Sequence, residues 1–412
     1  MALDGLKAPA WLPALSAALT AIQDAARIAV LAGDRGAVLA WLDDPLPLGG
    51  APWPAPGAPL VAEPGWGATW GPMPAGALIV ACDYEWPGVA PRIVPAAHLV
   101  RFAADGTRTI EGPDDGVRAW MAERLDTPAP ALVPPRLRGW APAWDGRAHQ
   151  ARVRALLDRI AAGDCYQGNL GVPMAGDLEP GPHRDLAAFL ALIAASPAPF
   201  AALVRTPGRA SVVSHSPECL LARRGDALAS VPIKGTRRRL PGRDAAQRAE
   251  LMASAKERAE LAMITDLVRN DLGRIAVPGS VRVADPGFLL DLPYVHHRAA
   301  RVEAVRAAGT DDRAALAALF PAGSITGAPK RKAMELVGAL EDAPRGPWCG
   351  AIGWTAPGGA DWAVAIRTAA IDGARVRTAA GGGIVADSDP AAEWDEVLAK
   401  SSAMAAAWGW TP

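Results

Sequence analysis

Several charged residues in this 412-residue chain stand where chemistry is a more specific explanation than solvation. Lys234 follows Leu228-Ala-Ser-Val-Pro-Ile, which reads as a short apolar strand, and precedes a glycine, a threonine and three arginines. A lysine losing solvent at such a place has its pKa lowered from about 10.4 and becomes a nucleophilic amine. The plainer alternative is a surface lysine beside a basic turn. Glu257 and Glu260, spaced i, i+3, share one helix face. Glu393, Glu396 and Lys400, at i, i+3 and i+7, share a face of the last helix. Such stripes are either surface ion-pair ladders or seats for a divalent cation and a substrate carboxylate. Arg367 interrupts the apolar strand Trp362-Ala-Val-Ala-Ile-Arg-Thr. A buried arginine needs an anion, and its fork suits a carboxylate from a ligand or from an internal salt bridge. Gly381, Gly382 and Gly383 let backbone N–H groups approach a ligand closely.

The elements that must position these groups follow from periodicity. Gln150 to Ala162 is an amphipathic helix with Val153, Leu156, Leu157 and Ile160 on one face. The strand after it, from Cys165, puts Gln167 and Asn169 on the same side. Ser211 to His215 is a further strand, followed by Ser216-Pro217-Glu218. Asp244 to Arg269 is the longest helix candidate, with Gly273 past its end. His296 and His297 are adjacent on a strand, so they point to opposite faces. Phe320 to Lys330 is a Gly-rich turn opening a helix to Leu340, and its N–H groups with Thr326 suit an anion. Trp348 to Trp354 and Trp362 to Thr368 read as paired strands. In the first 140 residues, Ala37–Leu42, Ala77–Cys82 and Val94–Phe102 are strand candidates between Pro/Gly-rich loops. Thr127 to Arg136 is a proline-rich connection.

Composition narrows the class. Half the residues are hydrophobic, 21% are charged and the net charge is −1, so no general attraction to nucleic acid or to a membrane surface is expected. Cys82, Cys165, Cys219 and Cys349 are scattered without a CxxC pair, which argues against a zinc site or a disulfide framework and for a reducing cytoplasm. The uncharged run Leu186 to Val204 is broken by Ser196-Pro-Ala-Pro, and reads as helix, turn and strand rather than a membrane span.

Taken together, GDCYQGNL, SPECLL, PIKGTRRR, KERAELAMITDLVRNDLG, HH, GSITGAPKRKAMEL, WCGAIGW, AIRT and AGGGIVADSDPAAEWDEVLAK resemble, in order, the chorismate-utilising enzymes. That family includes anthranilate synthase component I, aminodeoxychorismate synthase component I, isochorismate synthase and salicylate synthase. The resemblance covers about residues 146 to 405 and is looser before them. It implies an α/β (α+β type) fold of two facing antiparallel sheets with helices outside. A segment at 1–140 would complete one of the sheets, and a chorismate-binding catalytic domain would span 146–408.

The resemblance also implies roles. Lysine after Pro-Ile is similar to aminodeoxychorismate synthase, where anthranilate synthases usually carry alanine. Lys234 would attack C2 of chorismate as the 4-hydroxyl leaves, with Glu218 as its general acid. Ammonia would then add at C4 and expel Lys234. His297 and Thr326 would line the site, with Gln167, Asn169 and Trp348 among the substrate-binding residues. Glu260 and Glu396 would hold Mg²⁺, with Glu257 and Glu393 in its outer shell. Gly381–Gly383 and Lys400 would meet the ring carboxylate, and Arg367 the enolpyruvyl carboxylate. Glutamine at 167, where water-using relatives carry lysine, argues against isochorismate or salicylate synthesis. Retention of Glu260 and Glu396 argues against a non-catalytic binding subunit. No Gly-x-Cys-x-Gly turn is present, so ammonia would come from a separate glutamine amidotransferase subunit. Leu261 and Ala322 depart from the family, and its N-terminal tryptophan-binding motif has only a faint counterpart in Leu42-Asp43-Asp44.

Overall fold

The strand Arg27–Gly33 is buried along its whole length because both of its faces are covered. Ile28, Val30 and Ala32 join one apolar cluster, while Ala29 and Leu31 join another, as the two-residue period of a strand requires. The computed structural model describes residues 8–25, 27–33, 36–42, 69–70, 72–240, 242–292 and 295–411. Asp43, Asp44 and Tyr294 lie outside these residues.

Two antiparallel sheets carry the fold. In the first, the order is Gly327–Ala328, Gln167–Leu178, Arg375–Val385, Thr368–Asp372, Ser211–Ser216, Phe200–Arg205, Arg27–Gly33, Gly36–Leu42, Leu99–Ala103 and Arg108–Glu111. Leu137–Pro142 also pairs with Gln167–Leu178. In the second, the order is Ile233–Arg238, Val295–Val305, Ala227–Val231, Cys219–Arg224, Gly359–Ala365, Gly350–Ala356, Ala77–Cys82 and Arg92–Ala96, with Arg282–Asp291 also on Val295–Val305. One apolar cluster lies between the sheets, built from Leu31, Phe200, Val204, Ile79, Ile352 and Trp354 among others. The other two lie outside, one under Leu12–Ala21, Gly146–Ala161, Arg184–Ala195 and Pro390–Ala407, the other under Ala255–Gly273 and Asp312–Leu319. The layering is therefore helix, sheet, sheet, helix.

The N-terminal part contributes strands to both sheets, not to one. The expected single strand Val94–Phe102 is two strands, Arg92–Ala96 in the second sheet and Leu99–Ala103 in the first. The chain changes sheet at Ala97-His98. The expected helix over 244–269 is also two, Asp244–Ala253 and Ala255–Gly273. Ser254 leaves helical geometry and its hydroxyl accepts from the Glu257 N–H at 3.3 Å, capping the second helix. The run after Arg184 is helix Arg184–Ala195, a turn and strand Phe200–Arg205, as its proline spacing requires. No helix among the described residues is long and apolar enough to cross a membrane. The four cysteines are buried and free.

Candidate active site

The site lies where the chain passes between the sheets. Ser211–Ser216 belongs to the first sheet and Cys219–Arg224 to the second, so Glu218 sits at the corner joining them. Gly359–Ala365 belongs to the second sheet and Thr368–Asp372 to the first, so Arg367 sits at another such corner. It does not interrupt a strand; its φ is 50°, in the left-handed region. At these corners the ladder stops, and polar side chains can turn into the cleft without breaking the hydrophobic alternation.

Lys234 lies in Ile233–Arg238, paired with Val295–Val305. The register shifts between Lys234 and Thr236, and Gly235 at that point has φ 67°. This is a β-bulge, which re-aims the side chain beside it. Pro232 separates the strand from Ala227–Val231, so Lys234 is near the start of one strand and not at the end of another. Its Nζ donates to the Ser324 carbonyl at 3.4 Å. Burial lowers its pKa, opposed by the Glu260, Glu218 and Glu396 carboxylates, while the Lys400 ammonium lowers it further. An amine so placed is shared among three acids and committed to none.

Glu218 is almost fully buried, and burial pushes its pKa from 4.5 to about 7. Ser324, the Lys234 ammonium and the Ile233 N–H pull it back only in part. The Ser324 hydroxyl is close enough to act electrostatically but makes no hydrogen bond of ordinary geometry. A carboxyl poised near neutrality beside a desolvated amine is suited to general acid work. Glu218 itself lines a small pocket with Ser230, Pro232, Ile264, Gly323 and Ser324, with space for about one water.

Arg367 makes no side-chain hydrogen bond or ion pair among the described residues, and burial lowers its pKa. Its charge depresses both neighbouring imidazoles: desolvation first, then Arg367, take His215 and His297 from 6.5 to about 3. Both rings are thus neutral. His297 Nδ1 lies 3.0 Å from the Thr236 hydroxyl and 3.2 Å from the Gly235 carbonyl, and its Nε2 is buried without a partner. His296 instead points away, its Nδ1 2.5 Å from Asp291, as the strand alternation predicts. A half-buried cation without a counter-ion among the described residues, flanked by neutral rings, is suited to an anion.

The carboxylates come from two helices. Glu257 and Glu260 are on Ala255–Gly273, Glu393 and Glu396 on Pro390–Ala407. Asp389 caps the latter helix by accepting from Ala391 and Ala392 N–H groups, with Pro390 in its first turn. Burial raises Glu260, offset by Lys234 and Lys256, and Glu257 and Glu396 raise it further. Burial raises Glu393 as well, although Ser388 donates to it at 2.7 Å. Burial acts the same way on Glu396, but Lys400, 2.5 Å away, and Lys256 and Lys234 hold it below its ordinary value. Glu257 is met by Arg237 at 3.4 Å.

Gly381–Gly383 pair with Gly171, Leu170 and Asn169 along one edge. Thr368–Asp372 has ended before reaching their other edge, which is left open. At 381 only glycine fits, because an added Cβ would lie 2.2 Å from the Leu170 carbonyl; at 382 and 383 it would lie 2.8 Å from the Glu393 carboxylate and 2.4 Å from the Gln167 amide, side-chain ends that would have to move. Lys400 donates to the Gly381 carbonyl at 2.8 Å. Gln167 is fully buried, and both of its amide heavy atoms lack partners. Such orphaned groups mark a place that a ligand or water completes.

Three expected residues face differently from the rest. The Thr326 hydroxyl donates to the Ala322 carbonyl at 2.9 Å, and the Ile325 and Thr326 N–H groups bond within the same turn, so those donors are already engaged. Asn169 is buried, its carbonyl accepting from Arg345 at 2.6 Å and its N–H donating to Thr326. The Trp348 ring lies against Gly171 and 5.0 Å from the Arg345 guanidinium. Sequence reasoning missed Ser324, His215 and the bulge at Gly235. The glycine after Lys234 was a usable signal for the bulge; His215 and Ser324 had none outside the tertiary structure.

Among the described residues no three acidic, imidazole or thiol groups form a preassembled metal cage. Mg²⁺ asks for less, one or two protein carboxylates with water and substrate oxygens completing the octahedron. Glu260 and Glu396, within electrostatic reach of each other beside a glycine edge without side chains, fit that donor set.

These features, sheet corners carrying an acid and a cation beside a bulged lysine and facing carboxylate helices, define a class: the chain belongs to the chorismate binding enzyme family, which it matches over residues 96–406. Its relatives carry two different names. It is 40% identical over 321 residues to aminodeoxychorismate synthase component 1 of Klebsiella aerogenes, covering 77% of this chain and 70% of that one. It is 37% identical over 290 residues to the Escherichia coli (strain K12) protein of the same name, covering 69% and 62%. It is 39% identical over 294 residues to anthranilate synthase component 1 of Haloferax volcanii, covering 68% and 54%. The chain thus spans between about half and 70% of the length of these relatives. The fold is that of anthranilate synthase component I from Streptococcus pneumoniae TIGR4, at TM-score 0.72, 23% identity and 92% and 90% coverage. The isochorismate synthase MenF from Escherichia coli shares it at TM-score 0.74 and 18% identity, covering 99% of this chain and 93% of that one.

Proposed function

We propose that the chain converts chorismate and ammonia to 4-amino-4-deoxychorismate, as an aminodeoxychorismate synthase component 1 in p-aminobenzoate and folate formation. The observation that supports the reading most is Lys234, aimed by a bulge between Glu218, Glu260 and Glu396 with its pKa lowered by burial. The neutral amine attacks C2 of the ring. Both ring double bonds shift, from C1=C2 to C1=C6 and from C5=C6 to C4=C5, the C4–O bond breaks, and the Glu218 carboxyl gives its proton to the departing hydroxyl, which leaves as water. Ammonia then forms a bond to C4, both double bonds shift back, the C2–N bond breaks, and Lys234 leaves as an amine. The excess proton on the new nitrogen returns to the Glu218 carboxylate. Arg367 holds the enolpyruvyl carboxylate, with His297 beside it, and Lys400 and the Gly381–Gly383 edge hold the ring carboxylate. Glu260 and Glu396 would hold Mg²⁺, with Glu257 and Glu393 behind them; when bound, the ion neutralises charge on the ring carboxylate. Ammonia comes from a separate glutamine amidotransferase subunit, a reading that the name component 1 of the relatives supports.

Anthranilate synthase is the second reading, because relatives of that name are about as similar. The deciding experiment is product identification by mass spectrometry with chorismate, Mg²⁺ and ammonium chloride. Aminodeoxychorismate without pyruvate is the expected result; pyruvate with fluorescent anthranilate overturns it. Lys234→Ala abolishes aminodeoxychorismate formation, and unchanged kinetics in that variant remove Lys234 as nucleophile.

A further inference from the structure

Arg345 belongs to none of the groups above, yet it touches the framework of nearly all of them. Its side chain is 5% exposed, and that of its partner Glu341 8%. Nε donates to Glu341 Oε2 at 2.8 Å, and Nη2 donates to Glu341 Oε1 at 2.8 Å and to the Asn169 carbonyl at 2.6 Å. Nη1 donates to the Ile325 carbonyl at 3.0 Å. Glu341 Oε1 also accepts the Gly171 N–H at 2.7 Å. One buried ion pair therefore ties the strand Gln167–Leu178 at two points to the turn Gly323–Ile325 in the neighbouring layer. That turn carries the Ser324 carbonyl that receives Lys234, and the Ser324 side chain that abuts Glu218.

The N-terminal part locks the pair from outside. The Tyr84 ring lies 4.7 Å from the guanidinium, and the Trp348 ring 5.0 Å from it. Glu85 Oε1 accepts the Arg345 N–H at 2.8 Å, and the Tyr84 N–H donates to the Gly346 carbonyl at 2.7 Å. Trp86 packs edge-on against Phe320, where the catalytic turn begins, with centroids 5.5 Å apart. A lone hydrogen bond would let the turn drift. A planar fork held by one carboxylate and two backbone carbonyls, with two aromatic rings close to it, does not.

We propose that Arg345, held by Glu341 and braced by Tyr84 and Glu85, is a positioning residue that sets the Gly323–Ile325 turn, and through it the placement of Lys234 against Glu218. The proposal rests on the reading of those two residues as the reacting groups. Misplacing a reacting group by about 1 Å costs up to about a hundredfold in rate. Lysine at 345 keeps the charge but cannot span Asn169, Ile325 and Glu341 together.

The test is Arg345→Lys in the full chain, with two readouts. In steady-state kinetics, kcat falls at least about tenfold while the chorismate KM stays within about threefold, because Arg367 and Lys400 are untouched. Independently of any reaction, the pH dependence of amine-directed labelling at Lys234, mapped by peptide mass spectrometry, moves toward that of an ordinary lysine. An unchanged labelling profile with unchanged kcat, in a variant whose melting temperature shows it folded, overturns the proposal. So does a parallel loss of kcat and KM that tracks melting temperature alone. If Arg345→Lys does not fold, Glu85→Ala decides, since it leaves the guanidinium in place and only releases its loop. A drop in kcat with unchanged KM supports the brace, and wild-type kinetics overturn it. A wild-type enzyme that makes anthranilate sinks the proposed function but leaves the labelling test standing.

Discussion

Replacing Glu218 by glutamine should make the protein more stable and nearly inactive, and the two effects have one cause. Burial raises the Glu218 pKa from 4.5 to about 7, so below pH 4.5 the carboxyl is neutral in both folded and unfolded chains and ionisation costs nothing. As pH rises through 4.5 the unfolded chain ionises first, and folding loses about 1.4 kcal/mol per pH unit until the folded group also ionises near 7. The loss is about 3 kcal/mol and is constant above that pH. Glutamine has nearly the same shape, accepts from Ile233 in the same way and does not ionise, so it escapes the loss. For a chain of 412 residues that is roughly 3 °C in melting temperature. The assay is melting temperature against pH for both proteins. The curves should coincide near pH 4 and separate, with the variant above, between pH 5 and 8. Chorismate turnover should fall about 10²- to 10⁴-fold, the usual worth of a general acid. In the wild type, kcat/KM should fall above about pH 7 as the acid ionises. A variant less stable at pH 8, or a separation that does not depend on pH, would refute the buried-acid argument. Retained turnover would refute the catalytic one.

Gly235→Ala should cost about 1 to 2 kcal/mol from the left-handed backbone alone, because the clashing atoms, Leu251 Cδ1 at 2.7 Å and Glu257 Oε2 at 2.8 Å, are side-chain ends that can move. Turnover should fall at least about tenfold with the bulge, and wild-type turnover would show that the bulge does not aim Lys234. Arg367→Met should raise the chorismate KM more than about tenfold without lowering the melting temperature, since no partner among the described residues is left unpaired; a lowered melting temperature would reveal a structural role. Cys349 has φ 64°, so Cys349→Gly should be more stable than Cys349→Ala by about 1 kcal/mol, the reverse of the usual order, and thermal melts of the two variants decide it.

Much of the site was legible because its residues sit in regular elements. The spacing of Glu257 with Glu260, and of Glu393, Glu396 and Lys400, fixes a shared face on any helix, and both helices exist. His296 and His297 do point apart. Gly381 does lie where the facing backbone leaves no room for a side chain. Local pattern failed where the chain bends. It merged Val94–Phe102 into one strand and 244–269 into one helix, because hydrophobic periodicity does not register a change of sheet or the loss of one turn at Ser254. It placed Arg367 inside a strand for the same reason.

By itself, then, the sequence determined the chemical inventory: a lysine after an apolar strand, two acidic stripes, an arginine among apolar residues and a glycine edge. Those follow from composition and from fixed periods of two and 3.6 residues. Only the tertiary structure decided how the inventory is brought together. Desolvation and mutual distance set the pKa of Lys234 and Glu218, and both depend on groups far apart in the chain. The sheet corners at Glu218 and Arg367, the bulge at Gly235 and the Arg345–Glu341 clamp arise because two sheets must face each other across one core, which no local stretch encodes.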